Sequence, residues 1–197
     1  MKIAKPVAFL AGLAPITFLL YRAFTGRLSA NPIQDITNQT GLWTLRLLML
    51  TLAITPIRRL TNWQSVIRFR RMIGLFAFFY GVLHFTTYIW LDQDFDLHSI
   101  MKDIPKRPFI AAGFTAFVLM LPLALTSTRK WIGRLGGRRW QLLHRLIYAS
   151  AIAGVIHYIW VVKLDTTNPY RYGILLAALL GTRIWFAAKQ RLMSPAL

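Results

Sequence analysis

The sequence predicts an all-α integral membrane protein, a bundle of six transmembrane helices with both termini in the cytoplasm. Three observations carry that reading. Apolar stretches are long enough to cross a bilayer, basic residues gather in alternate connections, and histidines stand inside two of the apolar stretches. Of 197 residues, 56% are hydrophobic, and the mean hydropathy is +0.47, too apolar for a soluble domain of this size. The formal charge of +18 would in a soluble protein point to nucleic acid. Here the basic residues form short clusters between apolar runs and no continuous stripe, so the surroundings are membrane lipid and no nucleic acid is expected.

A helix needs about 20 apolar residues to cross the hydrocarbon core. The first span, 6–24, carries Pro15, which a transmembrane helix tolerates where neighbours satisfy the freed carbonyl. Lys2 and Lys5 ahead of it resemble the start of a signal peptide. No small-x-small cleavage site follows and five further spans do, so it reads as a retained helix. The second span, 41–57, holds Arg46 near its start, and the sixth, 171–188, holds Arg183 near its end. Long side chains close to a helix end snorkel, so neither arginine forbids a crossing. The third span, 72–91, and the fourth, 108–128, carry no formal charge, and the fifth, 144–163, is uncharged from Leu146 to Val162. Five spans is the alternative count. With no internal repeat, low-complexity tract or long linker, residues 1–197 read as one domain.

Charge sets the orientation. Arg58, Arg59, Arg68, Arg70 and Arg71 lie between spans two and three, and Arg129, Lys130, Arg134, Arg138, Arg139 and Arg145 between four and five. With Lys2, Lys5, Lys189 and Arg191 they fall on one side, which the positive-inside rule assigns to the cytoplasm. The chain has no glutamate, and Asp35, Asp92, Asp94, Asp96, Asp103 and Asp165 all fall in the opposite connections.

His84 lies about a dozen residues beyond the Arg68–Arg71 cluster, and His157 about a dozen beyond Arg145. At 1.5 Å per residue both imidazoles stand roughly 18 Å above the cytoplasmic boundary on parallel spans, in the periplasmic half. Ligating groups in hydrocarbon are costly and read as functional. Matched depth on two spans is what two axial ligands of one b-type haem require. The plain alternative is a pair of interhelical hydrogen-bonding side chains. With no cysteine in the chain, iron–sulfur clusters, thiolate ligation and covalent haem attachment are excluded.

His144 stands thirteen residues before His157, which places the two roughly 140° apart around an ideal helix. Its counterpart at the same offset from His84 is Arg71, so a second haem would lack a full histidine pair. His98, in the polar segment Asp92–Arg107, reads as an exposed loop residue. Gly133, Gly136 and Gly137 read as a flexible turn. They form no G-x-G-x-x-G, so no dinucleotide module is present. No general acid–base pair or nucleophilic triad is visible either.

Two long segments, RFRRMIGLFAFFYGVLHFTTYIWLD from Arg68 to Asp92 and WQLLHRLIYASAIAGVIHYIW from Trp140 to Trp160, resemble the ferric-reductase-like transmembrane superfamily. Within it they resemble the MsrQ (YedZ) family, haem-binding membrane subunits of bacterial methionine sulfoxide reductase systems. The resemblance covers nearly the whole chain. It implies a multi-pass protein of the bacterial inner membrane that binds haem b and FMN and draws electrons from the quinone pool. It also implies delivery of those electrons to a periplasmic molybdopterin subunit that reduces methionine sulfoxide in oxidised proteins. By position His84 and His157 match the family's haem ligands and His144 its third implicated histidine. Arg71, Arg138 and Arg139 are candidates for the FMN phosphate, against a plain role in topology and headgroup contact. Arg46 is a candidate partner for a haem propionate, against simple snorkelling. The aspartate-rich segment Asp92–Arg107 is expected to face the periplasmic partner. The competing readings are a stand-alone membrane ferric or quinone reductase and, in another class, a haemless anchor or transporter.

Overall fold

The computed structural model describes residues 3–193, and Lys2, one of the orienting charges, lies outside the described residues. The chain runs through α1 (Ala4–Phe24), α2 (Pro32–Thr61), α3 (Arg70–Thr87), α4 (Leu97–Lys106), α5 (Pro108–Leu125), α6 (Arg129–Leu135), α7 (Gly137–Leu143), α8 (Leu146–Val161) and α9 (Thr167–Met193). A 3₁₀ turn (Gln64–Phe69) leads into α3 and a π turn (Tyr88–Asp92) ends it. Six of the described stretches are long and apolar enough to cross a membrane: α1, α2, Gln64–Asp92, α5, Gly137–Val161 and Thr167–Gln190.

The core is built from two helix pairs, α2 on α3 and α5 on α8, joined chiefly through α3 and α5. Its centre is Leu48, Leu52, Ala77, Tyr80, Ala151 and Val155. Small residues bring the backbones close: Ala77, Ala151 and Ser150 are fully buried, and Ser150 Oγ donates to Ala116 O across α8 and α5 at 2.9 Å. With lipid outside as apolar as leucine, packing of this kind and interhelical hydrogen bonds hold such bundles together. The outer helices expose Phe9, Leu10 and Phe18 on α1 and Ile174, Ile184 and Trp185 on α9, as lipid-facing surfaces do.

Each proline inside a spanning helix removes one N–H donor, and beside two of these prolines another helix supplies hydrogen bonds. At Pro15 the buried Tyr80 hydroxyl inserts into α1, donating to Gly12 O at 2.8 Å and accepting the Ile16 N–H at 3.1 Å. At Pro56 the Leu52 carbonyl loses its donor, and Arg183 supplies one from α9 at 2.8 Å. Arg183 therefore does not snorkel as the sequence suggests. It turns inward, also donating to Tyr148 Oη at 2.7 Å, because a freed carbonyl in the core attracts a cationic donor.

Three boundaries differ from expectation. α2 begins nine residues before position 41, because Asn31 caps it by accepting the Gln34 N–H and Pro32 occupies its first turn. Its length of about 45 Å carries a polar segment beyond the apolar one. The expected loop Asp92–Arg107 contains α4, capped by Asp96, which accepts the N–H groups of His98 and Ser99. His98 is exposed as expected, but in the first turn of a helix. The glycine turn is confined to Gly136, at φ 72°, between short helices α6 and α7.

Candidate functional site

All six aspartates lie in or beside the connections at one end of the bundle, and there four helix ends converge around His84 and His157. His84 comes from the last turn of α3, and its Nδ1 lies 2.9 Å from Thr37 O near the start of α2. His157 comes from the penultimate turn of α8, with Nδ1 2.7 Å from Phe109 O at the start of α5. A carbonyl only accepts, so both Nδ1 atoms carry the proton and both Nε2 atoms keep a lone pair. Orientation of a ligating imidazole through its other nitrogen is the usual arrangement at metal sites.

Each ring also lies against a glycine. A Cβ on Gly41 of α2 would meet His84 Cε1 at 2.9 Å, and one on Gly113 of α5 would meet His157 Nδ1 at 2.8 Å. In both cases the glycine follows the accepting residue by four, on the same face of the same helix. The two halves are thus built alike: a histidine late in one helix bonds a carbonyl early in its partner and packs on a glycine one turn further. A short repeat on the two histidine helices accompanies this, Gly81-Val82-Leu83-His84 against Gly154-Val155-Ile156-His157, in a sequence that reads as having no internal repeat.

The ring centroids are 6.0 Å apart with planes at 71°. Two metal–nitrogen bonds of about 2 Å each, with the step from nitrogen to ring centre added at both ends, put two trans imidazoles roughly 6 Å apart. Among the described residues no group of three or more histidine, cysteine or acidic side chains could hold a bare ion. A metal between these rings has to bring its own equatorial donors, as a porphyrin does. The residues present fit an iron porphyrin held by His84 and His157.

The basic end is different. His144 sits in the break between α7 and α8, its ring stacked on Trp140 at 3.9 Å. Its Nε2 lies 3.1 Å from Thr126 Oγ1, whose own hydrogen goes to Pro122 O, so Nε2–H is the donor and that nitrogen is used up. Of the arginines read from the sequence, Arg71, Arg138 and Arg139 are exposed, and no hydrogen bond or ion pair joins them among the described residues. The adjacent Arg70 is the one that turns in. It is half-buried, within electrostatic reach of Arg58, Arg183, Tyr148 and His144. Sequence reading missed this cluster, and Arg183 inside an apolar run was the signal. Arg46 lies over the Trp43 ring at 4.8 Å and donates through Nε to Tyr172 Oη at 3.2 Å.

Residues 40–155 match the family described as ferric reductase like transmembrane component. Among curated proteins the chain is 50% identical to the protein-methionine-sulfoxide reductase heme-binding subunit MsrQ of Herminiimonas arsenicoxydans, covering 100% of this chain and 91% of that one. It is 51% identical to the protein of the same name from Azospira oryzae over 91% and 78%, and 48% identical to that of Ralstonia nicotianae over 94% and 87%. No solved structure matches.

Proposed function

The chain belongs to the MsrQ family of ferric-reductase-like transmembrane proteins, and from that premise we propose that it is the haem-carrying, electron-transferring membrane subunit of a methionine sulfoxide reductase. The observation that carries the reading is the pair of imidazoles on separate helices, His84 and His157, each with Nδ1 held by a backbone carbonyl and Nε2 left without a hydrogen bond among the described residues, their ring centroids 6.0 Å apart. The relatives' shared name, a heme-binding subunit, supports it. Bound there, a haem b supplies one-electron redox chemistry in the membrane.

The chain's own residues do the rest. The Thr37 and Phe109 carbonyls fix which imidazole nitrogen is protonated and leave the other free to ligate. Apolar side chains of α2, α3, α5 and α8 exclude water and keep the surroundings of low dielectric. Arg46, whose Nη atoms make no hydrogen bond among the described residues, is the cation available to a propionate. With the basic end cytoplasmic, both termini lie inside and the histidine pair faces the periplasm. A periplasmic molybdopterin subunit then takes the electrons, and the exposed, aspartate-rich stretch up to α4 meets it. Electrons enter from the quinone pool, and FMN, held through its phosphate by Arg71, Arg138 and Arg139, serves the cytoplasmic face of the inner membrane.

Purified protein from haem-replete cells is expected to show a b-type α-band that sharpens with dithionite. His84→Ala and His157→Ala are each expected to abolish it while the protein still inserts. An unchanged spectrum in both variants defeats the assignment, and colourless wild-type protein leaves the haemless anchor as the reading. Reoxidation of the reduced haem by ferric chelates alone, without a periplasmic subunit, would favour the stand-alone reductase.

A further inference from the structure

The residues of α4 separate completely into an apolar and a polar side. At about 100° per residue, Leu97, Ile100, Met101, Ile104 and Pro105 share an arc of about 140°, and His98, Ser99, Lys102, Asp103 and Lys106 fill the remainder. The bundle covers only one edge of the apolar arc. Ile100 is buried and Ile104 half-buried, whereas Leu97 and Met101, one turn apart further round, are each 69% exposed. A helix that packed on protein alone would turn its whole apolar stripe to the core.

Two features of the structure put lipid on the open part. The first is where α4 hangs. Four residues separate it from the end of the span Gln64–Asp92, and Arg107 alone separates it from the apolar α5. Both its ends are held where spans leave the hydrocarbon, so its length of roughly 15 Å runs along that boundary. The second is continuity with a lipid-facing surface. Trp90, in the last turn of the span, is exposed, and the exposed Phe95 stands against it with ring centroids 6.4 Å apart. The turn that folds Phe95 back is strained: Asp94 and Phe95 have φ of 46° and 61°, a region unfavourable to a bulky side chain. Its closing bond runs from the Phe95 N–H to Ile89 O at 2.9 Å. Aromatic rings gathered at a span end mark the membrane–water boundary.

We propose that α4 is an interfacial helix, lying in the bilayer surface at the acidic end of the bundle with Phe95, Leu97 and Met101 among the acyl chains. A helix with charge opposite its apolar arc binds lipid surfaces in this way. Asp103 is taken by Arg107 at 3.5 Å, so the charge offered by the polar arc is that of Lys102 and Lys106, whose long side chains reach headgroup phosphates and water. This placement depends on the six spans and not on the haem. A soluble partner is then left the polar arc and the aspartates before it, and not the apolar ridge.

The chain has no cysteine, so Leu97→Cys, Met101→Cys and Lys102→Cys each accept a single nitroxide label, with Val118→Cys on the exposed face of α5 as the hydrocarbon standard. Full-length protein in phosphatidylcholine liposomes is read by power-saturation electron paramagnetic resonance. Oxygen, which concentrates among acyl chains, and a water-soluble nickel chelate serve as the two collision reagents. The ratio of oxygen to nickel collisions at positions 97 and 101 is expected to exceed that at 102 by about fivefold or more, as burial in the acyl boundary requires, and to approach that at 118. Ratios at 97 and 101 equal to the one at 102 put the ridge in water and overturn the placement. Labels at 97 and 101 that meet the nickel chelate in liposomes, and are shielded only when the periplasmic catalytic subunit is added, make the ridge a protein docking site and overturn it equally.

Discussion

The two ends of the bundle hold histidines in opposite chemical states. At the acidic end His84 and His157 give Nδ1–H to backbone carbonyls and keep Nε2 free, each ring pressed on a glycine. At the basic end His144 spends Nε2 on Thr126, stacks on Trp140, and has the half-buried Arg70, not a second imidazole, within electrostatic reach. A histidine in a membrane helix is therefore not a ligand by virtue of its depth. What separates the two cases is which nitrogen the backbone has claimed and whether a second ring stands opposite.

If the glycines set that difference, altering them should damage the acidic end more than any other small substitution. Gly41→Ala and Gly113→Ala each bring a methyl within 3 Å of a pinned imidazole, a clash worth on the order of 1–3 kcal/mol. Haem retained per chain is expected to fall, and the surviving fraction to show a weakened low-spin signal in electron paramagnetic resonance. Gly154→Ala is the control, since its Cβ would meet only Leu45 Cδ1 at 3.8 Å. Equal haem loss in all three would mean that crowding of the bundle, and not the aim of the rings, is responsible.

Much of this was legible in the sequence. Spans are legible because hydrocarbon demands a fixed length of apolar chain, and the histidine pair because equal distance from two basic clusters means equal depth. The acceptors of Nδ1 were not, since a backbone carbonyl is present at every residue and no side chain advertises it. Gly41 and Gly113 look like any of the 12 glycines until helix pairing is known. The choice of Arg70 over Arg71 is a rotation of about 100°, which spacing alone does not fix. Arg183 points inward only because Pro56 frees Leu52 O, and that links residues more than a hundred positions apart.

The basic end has its own test in that link. Arg183→Leu leaves Leu52 O and Tyr148 Oη without their donor, an expected cost of about 1–3 kcal/mol. Pro56→Ala restores an N–H for Leu52 O, so the double variant should recover part of the loss in thermal unfolding. The haem spectrum at the acidic end should not move. No recovery would mean that Arg183 acts through its charge and not through that carbonyl.

His144→Ala bears directly on how far the ends differ, and its expected effect is smaller. With Nε2 already committed, haem per chain and the α-band are expected to match wild type, with only a slight loss of stability from the Trp140 stack. A fall from two haems to one on substitution would show that His144 changes partner when a porphyrin is bound, and the contrast would narrow.

The smallest effect belongs to Asp96, which caps α4 at the acidic end without touching the histidines. Hydrogen bonds from the Ser99 side chain and backbone, and then from His98, hold its carboxyl below the ordinary aspartate value. A depressed value means the capping contribution is in full force at neutral pH. It fades only as pH falls below the usual aspartate range of about 4 and through the folded-state value. Asp96→Ala should therefore speed amide exchange at His98 and Ser99 by roughly threefold at pH 7, and the gap from wild type should close in acid. Because α4 packs on α5 but supplies neither the carbonyl nor the glycine that holds a ring, the haem spectrum should be the same in both proteins across that range. A spectrum that titrates with Asp96 would tie α4 to the histidine pair, and the acidic end would then have to be treated as one unit.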